Sequence, residues 1–194
     1  MVPRGGKSRA ELLSVFIQMA QAVDSQVVET SSDRQAVQSI LEIIGEDLSV
    51  ISWELDKIPL DGLQGEFDSR GIQTAAPEDS SVRVGITGVE AALAATGSLV
   101  IPSGEGRWRT ASLLPPIHIA VVHSDQILPD LEAWVEARRQ MGLRSFRETA
   151  SFLLVTGPSR TSDIGMESIK GMHGPGEVHI VLMDETPEGQ RQEQ

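Results

Sequence analysis

The chain contains no cysteine, no asparagine and no tyrosine. Without cysteine it can form no disulfide, and it cannot by itself hold a thiolate-bound metal or an iron–sulfur cluster. Positive charge is scarce: 16 Lys and Arg stand against 28 Asp and Glu, for a formal net charge of −12. Nucleic-acid binding needs clustered cations facing phosphates, and anionic membrane surfaces attract polybasic segments. The balance therefore argues against both partners. Long apolar runs are missing as well, and none approaches the ~20 residues of a membrane-spanning helix. The basic start, residues 1–9, lacks the apolar stretch that would follow in a secretory signal. The expected location is the cytoplasm.

What remains is a chain of 194 residues, 40% of them hydrophobic, enough to bury a sizeable core. Residues 8–23 carry Leu12, Phe16, Met19, Ala20 and Val23 at helical spacing. Residues 26–29 are β-prone, and Ser31, Ser32 and Asp33 are N-cap candidates for a second helix marked by Ala36, Ile40, Ile43 and Ile44. Residues 48–53 read as a strand. The weakly patterned stretch 55–80, with Gly62, Gly65, Gly71 and Pro77, is expected to be a loop or boundary. Beyond it, strands are predicted at 82–87, 97–101, 116–122, 152–155 and 178–183. An Ala-rich helix is predicted at 89–95, and another around Leu128, Leu131, Trp134 and Val135. The expected organisation is an N-terminal helical region, 1–54, packed on an α/β core of parallel βα units, 81–184, with a polar disordered tail, 185–194.

Ligands of open parallel sheets sit outside the carboxyl ends of strands, which directs attention to three loops. Gly85-Ile86-Thr87-Gly88 reads either as an anion-binding turn before a helix, with Thr87 and Gly88 at the ligand, or as an ordinary tight turn. Ser103-Gly104-Glu105-Gly106-Arg107-Trp108-Arg109 offers guanidinium and indole groups beside glycines. It suits an anion or carboxylate clamp through Gly104 and Arg107, and equally a solvated surface loop. Thr156-Gly157-Pro158-Ser159-Arg160-Thr161-Ser162-Asp163 gathers hydroxyls, backbone N–H groups and one arginine. Phosphate or carboxylate is its natural guest, and helix capping by Ser162 or Asp163 is its alternative role. The substrate-binding candidates here are Thr156, Gly157, Ser159, Arg160 and Thr161.

His118 and His179 fall inside strand patterns and are expected to be hydrogen-bonded core residues, while His123 stands at a strand end. His173 lies on the glycine-rich turn Gly171-Met172-His173-Gly174-Pro175-Gly176. There it can move a proton or simply brace its own turn, and it is the one catalytic candidate. Phosphate-loop, dinucleotide, zinc-protease and serine-elbow motifs do not occur. The chain is expected to carry no cofactor and no metal of its own.

Five stretches in fixed order resemble one family. They are Gly85-Ile86-Thr87-Gly88, Thr96-Gly97-Ser98-Leu99-Val100, Leu113-Leu114-Pro115-Pro116-Ile117-His118, Thr156 through Ile164, and Gly171-Met172-His173-Gly174-Pro175. Across about residues 81–184 they resemble the lactate-utilisation protein C family. The Gly-Pro-Ser-Arg-Thr segment followed by His-Gly-Pro is their specific part. The resemblance implies a three-layer α/β sandwich with a mainly parallel sheet, similar to ribose-5-phosphate isomerase, glucosamine-6-phosphate deaminase and CoA transferases. It also implies a part in oxidising L-lactate to pyruvate beside two iron–sulfur partner proteins, which agrees with a subunit that holds no cluster. Members of the family often carry an acid before the Thr-Gly pair, where this chain has Ala95.

Three roles follow as expectations. The first is a subunit of a lactate-oxidising complex. The second is a stand-alone enzyme on a phosphorylated or carboxylated metabolite, with Arg107 and Arg160 on the anion and His173 moving a proton. The third is a scaffold whose loops bind protein. All the site readings assume that Thr87, Arg107, Arg160 and His173 meet at one rim.

Overall fold

The computed structural model describes residues 8–142, 149–162, 168–171 and 173–184, with backbone alone for 161, 162 and 168–170. Helix α1 (Arg9–Ala22) opens with a capping box, the Ser8 hydroxyl accepting from the Glu11 N–H while the Glu11 carboxylate accepts from the Ser8 N–H. Strand β1 (Gln26–Thr30) follows. Helix α2 (Asp33–Ile44) is capped by Ser32 and ends at Gly45, whose φ of 66° favours glycine. Its buried face, Ala36, Val37, Ile40, Leu41 and Ile44, repeats at helical spacing and packs on the sheet. Each full-sized side chain there contributes about 1.5–3 kcal/mol by leaving water.

Strand β2 (Ser49–Ser52) leads through a 3-10 turn, Leu55–Lys57, to the short helix α3 (Leu63–Arg70) and strand β3 (Gln73–Thr74). Then come β4 (Val84–Gly88), β5 (Ala91–Leu93), β6 (Ser98–Ser103), β7 (Ile117–His123), β8 (Ile127–Leu128), α4 (Leu131–Gln140), β9 (Ser151–Val155), β10 (Arg160–Ser162), β11 (Ser168–Lys170) and β12 (Glu177–Met183). The main sheet has six strands in the order β1-β12-β7-β4-β2-β3, and every neighbouring pair is parallel. All its carboxyl ends therefore lie along one rim. A second, mixed sheet, β8-β5-β6-β9, and the hairpin β10-β11 complete it. No helix among the described residues is long and apolar enough to cross a membrane.

Three departures from the sequence expectations have physical causes. The stretch 89–95 is not helical. Ala91, Ala92 and Leu93 pair antiparallel with β6, and Ala92 and Leu93 also pair with β8. Ala92 joins the main core while Ala91 and Leu93 pack with Val100 and Trp134, so both faces are covered and packing overrides the helix preference of alanine. The stretch 55–80 is no plain loop: it holds α3 and β3, with Gly62 and Gly71 at the helix ends, and β3 extends the main sheet from β2. The first 54 residues are not only helical, because β1 and β2 are strands of that same sheet. The expected helix from Ile164 and the tail at 185–194 lie outside the described residues.

Candidate functional site

The proposed single rim divides into two. Thr156, Gly157, Ser159, Arg160 and His173 collect near the amino ends of β1 and β12. Arg107, Gly104 and Gly88 lie at the carboxyl ends of β2 and β4. Thr87 reaches neither surface. The expectation that Thr87, Arg107, Arg160 and His173 share one pocket is thereby corrected. The cause is topological: β9 runs antiparallel to β6, with Ser151 beside Ser103 and Val155 beside Leu99. The chain is thus carried back to the opposite end before residue 156.

The amino-end cluster is held by its backbone. Ser159 donates its N–H to the Pro175 carbonyl at 2.8 Å, and Gly171 donates to the Ser159 carbonyl at 3.0 Å. The two family-like segments do meet here. Thr156 continues a chain of hydroxyls, Thr96–Ser98–Thr156, linked at 2.7 Å each. Gly157, at φ 74°, lies so close to the Val23 carbonyl that a Cβ would overlap it. Arg160 forms an ion pair with Asp24 at the end of α1, so its charge already has a partner. Both side chains are exposed, and such pairs contribute little in water. Arg160→Ala is expected to shift unfolding free energy by less than ~1 kcal/mol in urea titrations. His173 is exposed on its turn. Thr161 lies in β10, opposite Ile169, and its side chain is outside the described set.

Below the carboxyl rim, β4 is buried from end to end, so Gly85-Ile86-Thr87-Gly88 is strand interior, not a turn before a helix. The register places Gly85, Thr87, His118 and Ala120 on one face. Thr87 Oγ1 and His118 Nε2 are hydrogen-bonded at 2.9 Å, fully buried. Burial pushes the His118 imidazole down to about 3, and the nearby His179 pushes it the same way. His118 is therefore neutral at ordinary pH, the hydrogen-bonded core residue its pattern suggests. His179 is also buried and bonds Glu177 Oε2 at 3.1 Å.

The rim itself is built around Trp53, which follows β2. Its ring edge lies over Gly88, where a Cβ would sit 3.2 Å from Trp53 Cζ3 and 3.1 Å from Pro59 Cδ. The Pro59 carbonyl lies 2.7 Å from His123 Nε2, at the end of β7. Arg107 lies over the indole, its Cζ 5.6 Å from the ring centroid. It closes a tight turn in which Gly104 and Arg107 exchange backbone hydrogen bonds of 3.1 and 3.0 Å. Further along the rim, Ser124 donates to Asp184 Oδ1 at 3.0 Å and accepts from Arg9 at 2.7 Å.

Trp53, Ser124 and Asp184 had no sequence signal beyond their place at strand ends. Trp53 and Arg107 are far apart in the chain, and no spacing pattern links them. Among the described residues, no group of three or more His, Asp or Glu is placed to hold a metal ion.

A parallel six-stranded sheet flanked by helices, with glycine, indole and guanidinium groups at its carboxyl rim, defines an α/β protein of the open parallel-sheet class. The chain belongs to the LUD domain family, whose model matches residues 13–183. It is 28% identical over 188 residues to "Lactate utilization protein C" of Macrococcus caseolyticus, covering 93% of this chain and 81% of that protein. It is 25% identical to the protein of the same name from Halalkalibacterium halodurans, covering 92% and 81%. It is also 26% identical to "Uncharacterized protein YkgG" of Escherichia coli, covering 87% and 78%. Among solved structures, a DUF162 family protein from Deinococcus radiodurans superposes with a TM-score of 0.65 at 21% identity, covering 92% of this chain and all of the other. That likeness supports the fold.

Proposed function

We propose that this protein works in lactate utilisation, as a cluster-free subunit that acts with iron–sulfur partner proteins in oxidising L-lactate to pyruvate. The observation that carries the reading is the extent of the likeness to relatives named for lactate utilisation, 93% of this chain and 81% of the first of them. It covers a whole α/β core, not one shared turn. The absence of cysteine fits a subunit that leaves electron transfer to others.

Deleting the gene in its source organism is expected to abolish growth on L-lactate while growth on pyruvate continues, with recovery on re-expression. Normal growth on lactate, with no paralogue present, would remove the reading. The partners are tested separately by isolating the tagged chain from lactate-grown cells. Cysteine-rich, iron-containing proteins are expected to co-purify, and their absence would remove the partner claim alone.

A second reading, direct binding of an anionic metabolite by this chain, is favoured by one observation: the guanidinium of Arg107 at the carboxyl rim.

A further inference from the structure

We infer that Trp53 and Arg107 form a binding site for the carboxylate of a small organic acid, so that this chain holds the acid itself. The inference deepens the lactate-utilisation reading. It rests on that reading only for the choice of L-lactate and pyruvate as probes.

The chain has far more acids than bases, yet among the described residues Arg107 has no carboxylate partner, and its Nε is buried without an acceptor. The Trp53 Nε1 is likewise buried and unpartnered, on a side chain only 2% exposed. A buried donor without an acceptor costs about 1–3 kcal/mol, so two of them on neighbouring side chains need a reason. An acceptor arriving at the rim supplies one, with a small side-chain shift opening the donors to it.

The neighbouring charges are already committed. Lys57 pairs with Glu54 at 2.6 Å and donates to the Glu105 carbonyl at 2.8 Å. Glu54 donates its own N–H to the Gly106 carbonyl at 2.8 Å, tying the turn to the end of β2. Gly106 sits at φ 69°, and a Cβ there would overlap Lys57 Nζ and the Glu54 carboxylate. The positive φ favours glycine at position 106, in the turn that carries Arg107.

This arrangement selects the guest. One guanidinium with no carboxylate partner among the described residues, its Cζ 5.6 Å from the indole centroid, matches a planar group of charge −1 that accepts two parallel N–H bonds. A phosphate dianion asks for more: a second free cation or a nest of backbone N–H groups. Here Lys57 is engaged, and the turn's Gly104 and Arg107 N–H groups are spent on each other. A carboxylate is the better fit.

The test is titration of the whole chain with L-lactate, pyruvate and inorganic phosphate. It is followed by thermal shift and by the indole N–H resonance of Trp53, assigned with Trp53→Phe. Saturable binding of L-lactate or pyruvate is expected, with a shift of the Trp53 resonance and no comparable response to phosphate. Arg107→Gln is expected to weaken binding tenfold or more while its ligand-free melting temperature stays near that of the parent. If that variant unfolds, Arg107→Lys, which keeps the charge and loses the fork, is expected to weaken binding severalfold. No saturable response in the parent protein would overturn the inference, as would stronger binding of phosphate or unchanged affinity in a folded Arg107 variant. Loss of lactate growth in a deletion strain whose protein binds no carboxylate would remove this site and leave the lactate role standing. Arg107-dependent binding in a protein whose deletion leaves lactate growth intact would do the reverse.

Discussion

Gly85→Ala is expected to destabilise the protein by about 3 kcal/mol or more, although it adds a single methyl group. A Cβ at Gly85 would overlap the Ala111 carbonyl oxygen and lie 2.9 Å from its carbon and 3.0 Å from Pro115 Cγ. The obstacle is mainly backbone, not a side chain free to swing away. Ala111 belongs to a 3-10 turn, Arg109–Ser112, closed by bonds from Ala111 N–H to the Trp108 carbonyl and from Ser112 Oγ to the Arg109 carbonyl. Beneath it, β4 is clamped between β2 and β7. Either the turn lifts and lets water onto Thr87 and His118, or the central strand shifts against both neighbours. Gly65→Ala is the control. It lies inside α3 with nothing within 4 Å of the added carbon, and is expected to be neutral or to stabilise by up to about 1 kcal/mol. Urea denaturation of the two variants beside the parent separates the effects. A loss below ~1 kcal/mol at Gly85 would show that the 109–112 turn is not rigidly seated on the sheet.

The same glycine shows why the sequence could be read for strands and not for the site. Val84 and Ile86 flank Gly85 in a β-branched run that marks a strand, and β4, β6, β7, β9 and β12 all fall where their apolar runs place them. The α2 stripe and its Ser32 cap are local signals and were equally legible. The α/β class with a mainly parallel sheet follows from such signals. Long-range contacts decide the rest. Gly85-Ile86-Thr87-Gly88 has the composition of a turn, yet pairing with β2 on one side and β7 on the other makes it sheet interior. Ala91 and Ala92 sit in a stretch with the composition of a helix, yet β6 and β8 claim them, with Leu93, as a strand. For the site, proximity to strand ends was readable, but which end was not. The Thr156 and Gly104 loops each adjoin a strand of the second sheet, and because β6 and β9 run in opposite directions the two loops reach opposite rims. Arg107 was legible as a rich binding residue, whereas its indole support came from a segment that reads only as a strand end.

Acidification is expected to act on this fold through His118, and the direction follows from its burial. An exposed histidine in the unfolded chain takes up a proton near pH 6.5, whereas the folded protein holds the His118 imidazole neutral until about pH 3. Between those values the unfolded state binds the extra proton. Stability is therefore full above pH ~6.5 and is lost as the pH falls towards the folded value, at about 1.4 kcal/mol per pH unit from this group. The carboxylates contribute their own losses, so the measurement is a difference in slope. His118→Gln keeps a polar group to meet the Thr87 hydroxyl and cannot be protonated. Whatever its stability at pH 7.5, its unfolding free energy is expected to decline less steeply than the parent's between pH 6.5 and pH 4 in urea titrations. The gap between the two slopes should approach one proton. Parallel profiles would mean that the imidazole titrates alike in both states, which in turn would require water or a counter-charge to reach it through the 109–112 segment. His118 would then be open to proton exchange at working pH, and the Thr87–His118 pair would have to be counted with the rim above it rather than with the core.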